Sequence, residues 1–341
     1  MFDYDLPQDR IAQHAAPRGE SNLLVAKNFG SNLTIDKYKF KDIVEFFKAG
    51  DLLVLNSSRV KNWRFIFDYR GKDCELLLLR NLKDNLYRAL AKPMKFFSEG
   101  DQIKILDDLF FKVVVKNQEF VVEIINNTGK DLDDLGITPI PPYIRKGRAD
   151  NDDRSRYQNI YAEEGHSVAA PTAGLHFSKE LLETLKINGV EILDLKLHVG
   201  PASFLNIQDV NSEDFKEYFE ISKDTMQRIV NAKSSNRRVV AVGTTTTRCL
   251  ESLGLARMIE LISQTDLEIY KSSTNLFIAP GFEFTILNGL ITNFHQPGTT
   301  HLSLVGAFIG EDEIKSIYSY ALNNDFRFLS YGDSSFLLRE Y

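Results

Sequence analysis

Imidazole is the side chain whose proton affinity lies closest to neutrality, and three of the chain's 6 histidines, His176, His198 and His295, fall at strand ends or in neighbouring loops. In open α/β sheets and α/β barrels, ligands gather at the C-terminal ends of strands, so these three are candidate acid–base groups. A lone histidine at such a place is more often a hydrogen-bonded structural residue; three that topology would bring together are harder to dismiss. Neither a His-x-x-x-His pair nor a cysteine pair at ligand spacing is present, so no metal site is expected.

His176 closes the run Gly165-His166-Ser167-Val168-Ala169-Ala170-Pro171-Thr172-Ala173-Gly174-Leu175-His176-Phe177, which is small and nearly free of charge. Glycine lacks a Cβ and proline fixes φ, so such a run lets backbone approach a ligand closely. Ala170, Pro171, Thr172 and Gly174 are therefore candidate binding positions, although a tight core connection would look the same. A second candidate is Arg238-Val239-Val240-Ala241-Val242-Gly243-Thr244-Thr245-Thr246-Thr247-Arg248, an apolar strand, a glycine turn and then a helix. Such a turn aims unpaired N–H groups at an anion, and Gly243, Thr244, Thr245, Thr246, Thr247 and Arg248 could serve it. The alternative is an unusually polar helix cap; the spacing is neither a P-loop nor a dinucleotide fingerprint. Asn293-Phe294-His295-Gln296-Pro297-Gly298-Thr299-Thr300 follows its strand in the same way, which adds Asn293 to the binding set.

The elements that must position these residues have two textures. Leu52–Leu55, Arg64–Tyr69, Cys74–Leu79, Leu86–Ala91, Ile103–Leu106, Phe111–Val115 and Phe120–Ile125 read as short strands separated by turns such as Arg70-Gly71-Lys72-Asp73. Close-spaced strands without helices predict a small antiparallel β-barrel. Beyond Pro139-Ile140-Pro141-Pro142-Tyr143, helices over Lys179–Asn188, Lys223–Ser234 and Glu311–Asn323 alternate with strands over Val190–Val199, Arg238–Val242, Leu276–Ile278 and Leu290–Asn293. That alternation predicts α/β units on a largely parallel sheet. A further helix is expected over Asp36–Lys48. The reading is α/β plus β: a main α/β domain from residues 1–55 and 150–341, with residues 56–149 inserted as the barrel.

Cations cluster at Arg145, Lys146, Arg148, Arg154 and Arg156, with Tyr143 and Tyr157 among them, and more loosely at Arg88, Lys92 and Lys95. Contact with an RNA backbone, aided by stacking on Tyr143 or Tyr157, is one reading; a solvated linker is the other, since Asp150, Asp152 and Asp153 are interspersed. The net charge of −6 argues against indiscriminate nucleic-acid binding but leaves room for a local patch. Hydrophobic residues make up 43% and charged ones 26%, no apolar run approaches membrane-spanning length, and no signal segment is visible. With only two distant cysteines, Cys74 and Cys249, a reducing cytoplasm is the expected location.

Taken in order, Phe2-Asp3-Tyr4-Asp5-Leu6-Pro7, Gly50-Asp51-Leu52-Leu53-Val54-Leu55-Asn56, Glu75–Arg80, Arg156-Tyr157-Gln158 and Ser167–Phe177 carry a resemblance to one family. Leu197-His198-Val199-Gly200, Gly243–Arg248 with Glu251-Ser252, Thr292-Asn293-Phe294-His295 and Phe328–Asp333 extend it nearly end to end. The chain resembles the S-adenosylmethionine:tRNA ribosyltransferase-isomerases of queuosine biosynthesis. The resemblance implies an α/β barrel-like domain with an inserted small β-barrel. It implies transfer and isomerisation of the ribosyl group of S-adenosylmethionine onto a 7-aminomethyl-7-deazaguanine at the wobble position of tRNA. Epoxyqueuosine-tRNA, adenine and methionine would be the products. S-adenosylmethionine would be a substrate, with no metal or redox cofactor, and tRNA the partner of a cytoplasmic monomer. A proton beside the sulfonium must then be removed; His176 is the leading base, with His198 and His295 next. Residues 244–247 would grip the methionine carboxylate or the ribose hydroxyls.

The departures are specific. The family's Gly-Thr-Phe and His-x-Met-His-x-Glu stand here as Gly200-Pro201-Ala202-Ser203-Phe204 and Glu213-Asp214-Phe215-Lys216-Glu217-Tyr218-Phe219-Glu220, where the resemblance implies that Glu217 keeps the acid. Asn-Asp-Thr-Arg-Val becomes Asn56-Ser57-Ser58-Arg59-Val60, and Ser21-Asn22 replaces Ser-Arg. They leave open a same-fold transferase with another acceptor, or a non-catalytic RNA-binding relative; the retained loops speak against the latter.

Overall fold

The structure, a computed structural model, describes residues 2–29, 32–116, 119–200, 216–264 and 266–339. Strands β1 (Asn22–Phe29), β2 (Asn32–Lys39) and β3 (Leu52–Asn56) come first. They are followed by β4 (Arg64–Tyr69), β5 (Lys72–Lys83), β6 (Leu86–Lys92), β7 (Gln102–Leu106), β8 (Leu109–Val115) and β9 (Val121–Asn126). The single turns α1 (Leu132–Leu135) and α2 (Asp153–Arg156) lead to α3 (Lys179–Ile187), β10 (Glu191–His198), β11 (Glu217–Ser222), α4 (Lys223–Ser234) and β12 (Val239–Val242). Helix α5 (Thr244–Ile262), β13 (Ile269–Thr274), β14 (Gly289–Asn293), α6 (Thr300–Ile309), α7 (Glu311–Asn323) and β15 (Ser334–Arg339) complete the chain.

Strands β4 to β9 form an antiparallel sheet in the order β4-β5-β6-β9-β8-β7, with the outer pair β4 and β7 close together, so that the sheet nearly closes. Alternation along each strand sends Phe65, Phe67, Leu76, Leu78, Phe111 and Val113 into one core. This is the small barrel the turn-punctuated sequence predicts.

The other nine strands pair in the order β13-β11-β10-β3-β12-β14-β15-β1-β2. Its middle four, β10, β3, β12 and β14, run parallel to one another. Both faces are covered, which is why β3, β12 and β14 are buried at every position. Leu52, Val54, Val239 and Ala241 meet α4, α5 and α6 on one side, whereas Leu53, Val240 and Val242 meet α3, Phe40 and Phe177 on the other.

Three expectations change. The main sheet is mixed and has two ends among the described residues, β13 and β2, in place of a barrel-like closure. A parallel barrel needs every strand in one direction, but β11, β13, β15 and β2 each include an antiparallel pairing. The helix expected over Asp36–Lys48 is instead the end of β2 and a 3₁₀ segment, Phe40–Phe46. A short helix is marginal alone, and full register with β1 satisfies the backbone better. The strand expected over Leu276–Ile278 is an extended loop; the strand there is β13.

Candidate active site

The parallel strands β10, β3, β12 and β14 end together, so His198, Asn56 with the following Ser57 and Ser58, Gly243 and Asn293 share one rim. Residues 165–177 lie across that rim. Ser167 Oγ is 2.8 Å from Ser58 Oγ and accepts the Val199 N–H at 3.1 Å, while Val168 N–H donates to Val199 O at 3.1 Å. Thr172 Oγ1 donates to Asn293 Oδ1 at 2.8 Å. A Cβ at Gly243 would sit 3.8 Å from that of Ala173. From behind, Arg18 donates to the carbonyls of Leu175 at 2.6 Å and Gln158 at 2.7 Å. Gly174 is demanded by space: a Cβ would be 2.0 Å from Tyr161 Oη and 2.7 Å from both Asn159 amide atoms. The run ends where Ser178 Oγ accepts the Leu181 N–H at 3.2 Å and caps the start of α3.

Gly243 turns with φ 92°, a conformation open to glycine, and α5 begins at once. Thr246 and Thr247 donate back to the carbonyls of Val242 and Gly243 at 2.7 and 3.1 Å. Thr244 and Thr245, buried at the start of α5, make no such bond back to the strand among the described residues. Arg248 pairs with the buried Glu217 at 2.5 Å; burial pushes that carboxyl up and the guanidinium opposes the shift. With Thr300, His301, Leu276, Ile278 and Leu304, Arg248 lines a cavity of about 420 Å³.

The three predicted histidines have different surroundings. His176 is 6% exposed, stacked on Phe40, with Nδ1 2.8 Å from Ser21 Oγ and Nε2 3.2 Å from Asn293 Nδ2. Burial, then Arg18 and Arg156, push its proton affinity down to about 3. His198 is half-buried, with Nδ1 3.0 Å from Ser58 Oγ and its ring stacked 3.8 Å from His166. Burial, followed by His166, lowers it to about 4. His295 bonds through Nε2 to Thr292 Oγ1 at 2.8 Å, stacks on His301, and is held far below the usual range by burial.

Of the residues expected at RNA, Arg145 is bound to Gln13 O and Asp153, and Arg156 to Ala16 O. Arg154 bonds to Asp133 O at 2.8 Å and pairs with Asp134 at 3.0 Å, whereas Lys146 and Arg148 are exposed. Tyr157 is 1% exposed and packs edge-on against Tyr331, so its face is not presented to a base. Ala170 and Pro171 are buried in the run that crosses the rim. Of the departures noted in the sequence, residues 201–215 lie outside the described residues. Sequence reasoning missed His166, Ser58, His301 and the Glu217–Arg248 pairing. His166 was visible inside the run itself; the others depend on contacts across strands.

The sequence profile of a family described as "Queuosine biosynthesis protein" matches residues 1–337. The chain is 38% identical to the S-adenosylmethionine:tRNA ribosyltransferase-isomerase of Halothermothrix orenii, covering 99% of this chain and 98% of that one. It is 39% identical to the protein of the same name from Desulfitobacterium hafniense, again over 99% and 98%. The crystal structure of S-adenosylmethionine tRNA ribosyltransferase from Thermotoga maritima superposes with a TM-score of 0.55 at 32% identity, covering 99% of both chains.

Proposed function

The chain belongs to the queuosine biosynthesis protein family, and from that premise we infer that it is an S-adenosylmethionine:tRNA ribosyltransferase-isomerase. The reaction moves the ribosyl group of the donor onto the aminomethyl group of a 7-deazaguanine in tRNA and rearranges it. Adenine and methionine leave, and epoxyqueuosine stays in the tRNA. The observation that carries a donor site at this place is the run 165–177 laid over four parallel strand ends, with Thr172, Asn293 and Gly243 brought together.

Thr172, Asn293, Thr244 and Thr245 are the groups we assign to binding the donor's polar atoms. Removing the proton beside the sulfonium needs a base that is neutral at working pH and has a free lone pair. His176 is neutral, but both ring nitrogens are engaged, so it positions Asn293 and through it Thr172. His198 engages one nitrogen with Ser58 and has no partner at Nε2 among the described residues. The His166 N–H also lies 3.5 Å from Nδ1, a long contact that gives way when Nδ1 carries the proton. The Ser58 and Ser167 hydroxyls, 2.8 Å apart, can then turn so that Nδ1–H donates to Ser58 and the chain ends on Leu197 O at 3.5 Å, leaving Nε2 to accept a proton. We therefore assign the base to His198.

The deciding experiment incubates the protein with S-adenosylmethionine and tRNA carrying the aminomethyl-deazaguanine, and measures free adenine and modified nucleoside. Adenine with epoxyqueuosine is expected. Donor binding without product would move the assignment to another acceptor on the same fold.

A further inference from the structure

We propose that the junction between the small barrel and the main sheet holds a phosphodiester of the RNA substrate, gripped by Arg80 and Lys61 flanking the stacked His166–His198 pair. The proposal rests on the tRNA-modifying reading above and names where that substrate's backbone is held.

Three contacts build the junction. Leu77 and Leu79 of β5 pack on Val168 of the run that crosses the rim; the register of β5 shifts between Leu78 and Arg80, and Arg80 lies close enough to His166 to act on its charge. The Arg80 guanidinium lies 4.8 Å over the ring of Tyr218, and Tyr218 is the register partner of His198. The Lys61 backbone N–H donates to Ser167 O at 3.1 Å, which ties Lys61 to the same run, with its ammonium 5.8 Å from the Trp63 ring. Both cations are near enough to oppose a positive charge on His166.

What distinguishes these two cations is their pairing. Arg145, Arg154 and Arg156 of the linker are occupied by carbonyls and carboxylates of this chain. Arg80 and Lys61 rest on aromatic faces and have no carboxylate at ion-pair distance among the described residues. The acid nearest the histidines, Glu220, is held by Lys271 at 2.9 Å. A guanidinium lying on a ring keeps its N–H donors for another acceptor, and phosphate suits that fork. Tyr218 is 39% exposed, and a base would stack on the face opposite Arg80. The site adjoins His198, so a backbone held there would bring its neighbouring nucleotide to the rim.

The test compares wild type, Arg80→Ala, Lys61→Ala and Arg80→Lys, with binding of substrate tRNA measured against salt and KM measured separately for tRNA and S-adenosylmethionine. Each alanine variant should weaken tRNA binding several-fold and lower the log–log salt slope by about 1, with the donor KM within twofold of wild type. Arg80→Lys should recover part of the affinity, which a merely unfolded variant would not do. Unchanged tRNA affinity and slope in both alanine variants would overturn the site, as would a rise confined to the donor KM. If wild type released no adenine, the functional reading would fall, whereas tRNA binding weakened by these substitutions would still uphold the site.

Discussion

His176 and His198 lie on the same rim and differ in what their nitrogens are free to do. His176 spends both on Ser21 and Asn293, whereas His198 keeps Nε2 without a partner among the described residues. Replacing His198 with Gln should therefore lower kcat by about 10²- to 10⁴-fold, the usual reach of general-base catalysis. His176→Gln should act mainly through the donor KM, because it disturbs Asn293 and Thr172. Steady-state kinetics with donor and tRNA varied in turn separate the two, and a kcat loss in His176→Gln as deep as in His198→Gln would return the base to His176. Gly174 tests the same site sterically. Gly174→Ala drives a methyl against Tyr161 Oη and the Asn159 amide, so donor binding, read by calorimetry, should fall at least tenfold.

At the scale of elements, β11 and α5 are tied by Glu217 and Arg248, both largely removed from water. Breaking one side of such a pair leaves an uncompensated charge and typically costs about 3–5 kcal/mol. Arg248→Met should thus destabilise the protein by roughly that amount in chemical denaturation. Glu217→Gln, which keeps a polar partner for the guanidinium, should cost less. Equal stability in all three proteins would show that the pair is dispensable for folding. Strands of the small barrel were legible because Arg64–Tyr69 and its neighbours alternate inward and outward between clear turns. β1 and β15 were not legible: Asn22–Phe29 and Ser334–Arg339 carry no strong alternation and become strands by pairing in parallel with each other across the whole chain.

The whole molecule should be sensitive to acid through its buried imidazoles. An unfolded histidine takes a proton near 6.5, whereas His176 does so only near 3, and His198 and His301 near 4. Between those limits the unfolded chain binds more protons. This contribution to stability is therefore complete above about 6.5 and falls with decreasing pH, by up to about 1.4 kcal/mol per unit for the buried His176 and less for His198 and His301, which are only partly buried. Melting temperatures at pH 7 and 5 should show the drop, and His176→Gln should make it shallower. A melting temperature flat over that range would contradict the burial of these rings.

What the sequence determined by itself was local: the turn-punctuated barrel strands, α3, α4 and α7, the glycine turn after β12, and a family resemblance carried by motifs in order. Those features depend on neighbours a few residues apart, where periodicity and turn chemistry act. The tertiary structure decided which polar groups meet. It locked His176 between Ser21 and Asn293, 155 and 117 residues away, and set His198 against Ser58, 140 residues away. It also withdrew Tyr157 and Arg145 into internal contacts and left Arg80 resting on Tyr218. Whether a histidine can take a proton, or an arginine can hold a phosphate, depends on who occupies its nitrogens, and that is set by strand order across the sheet.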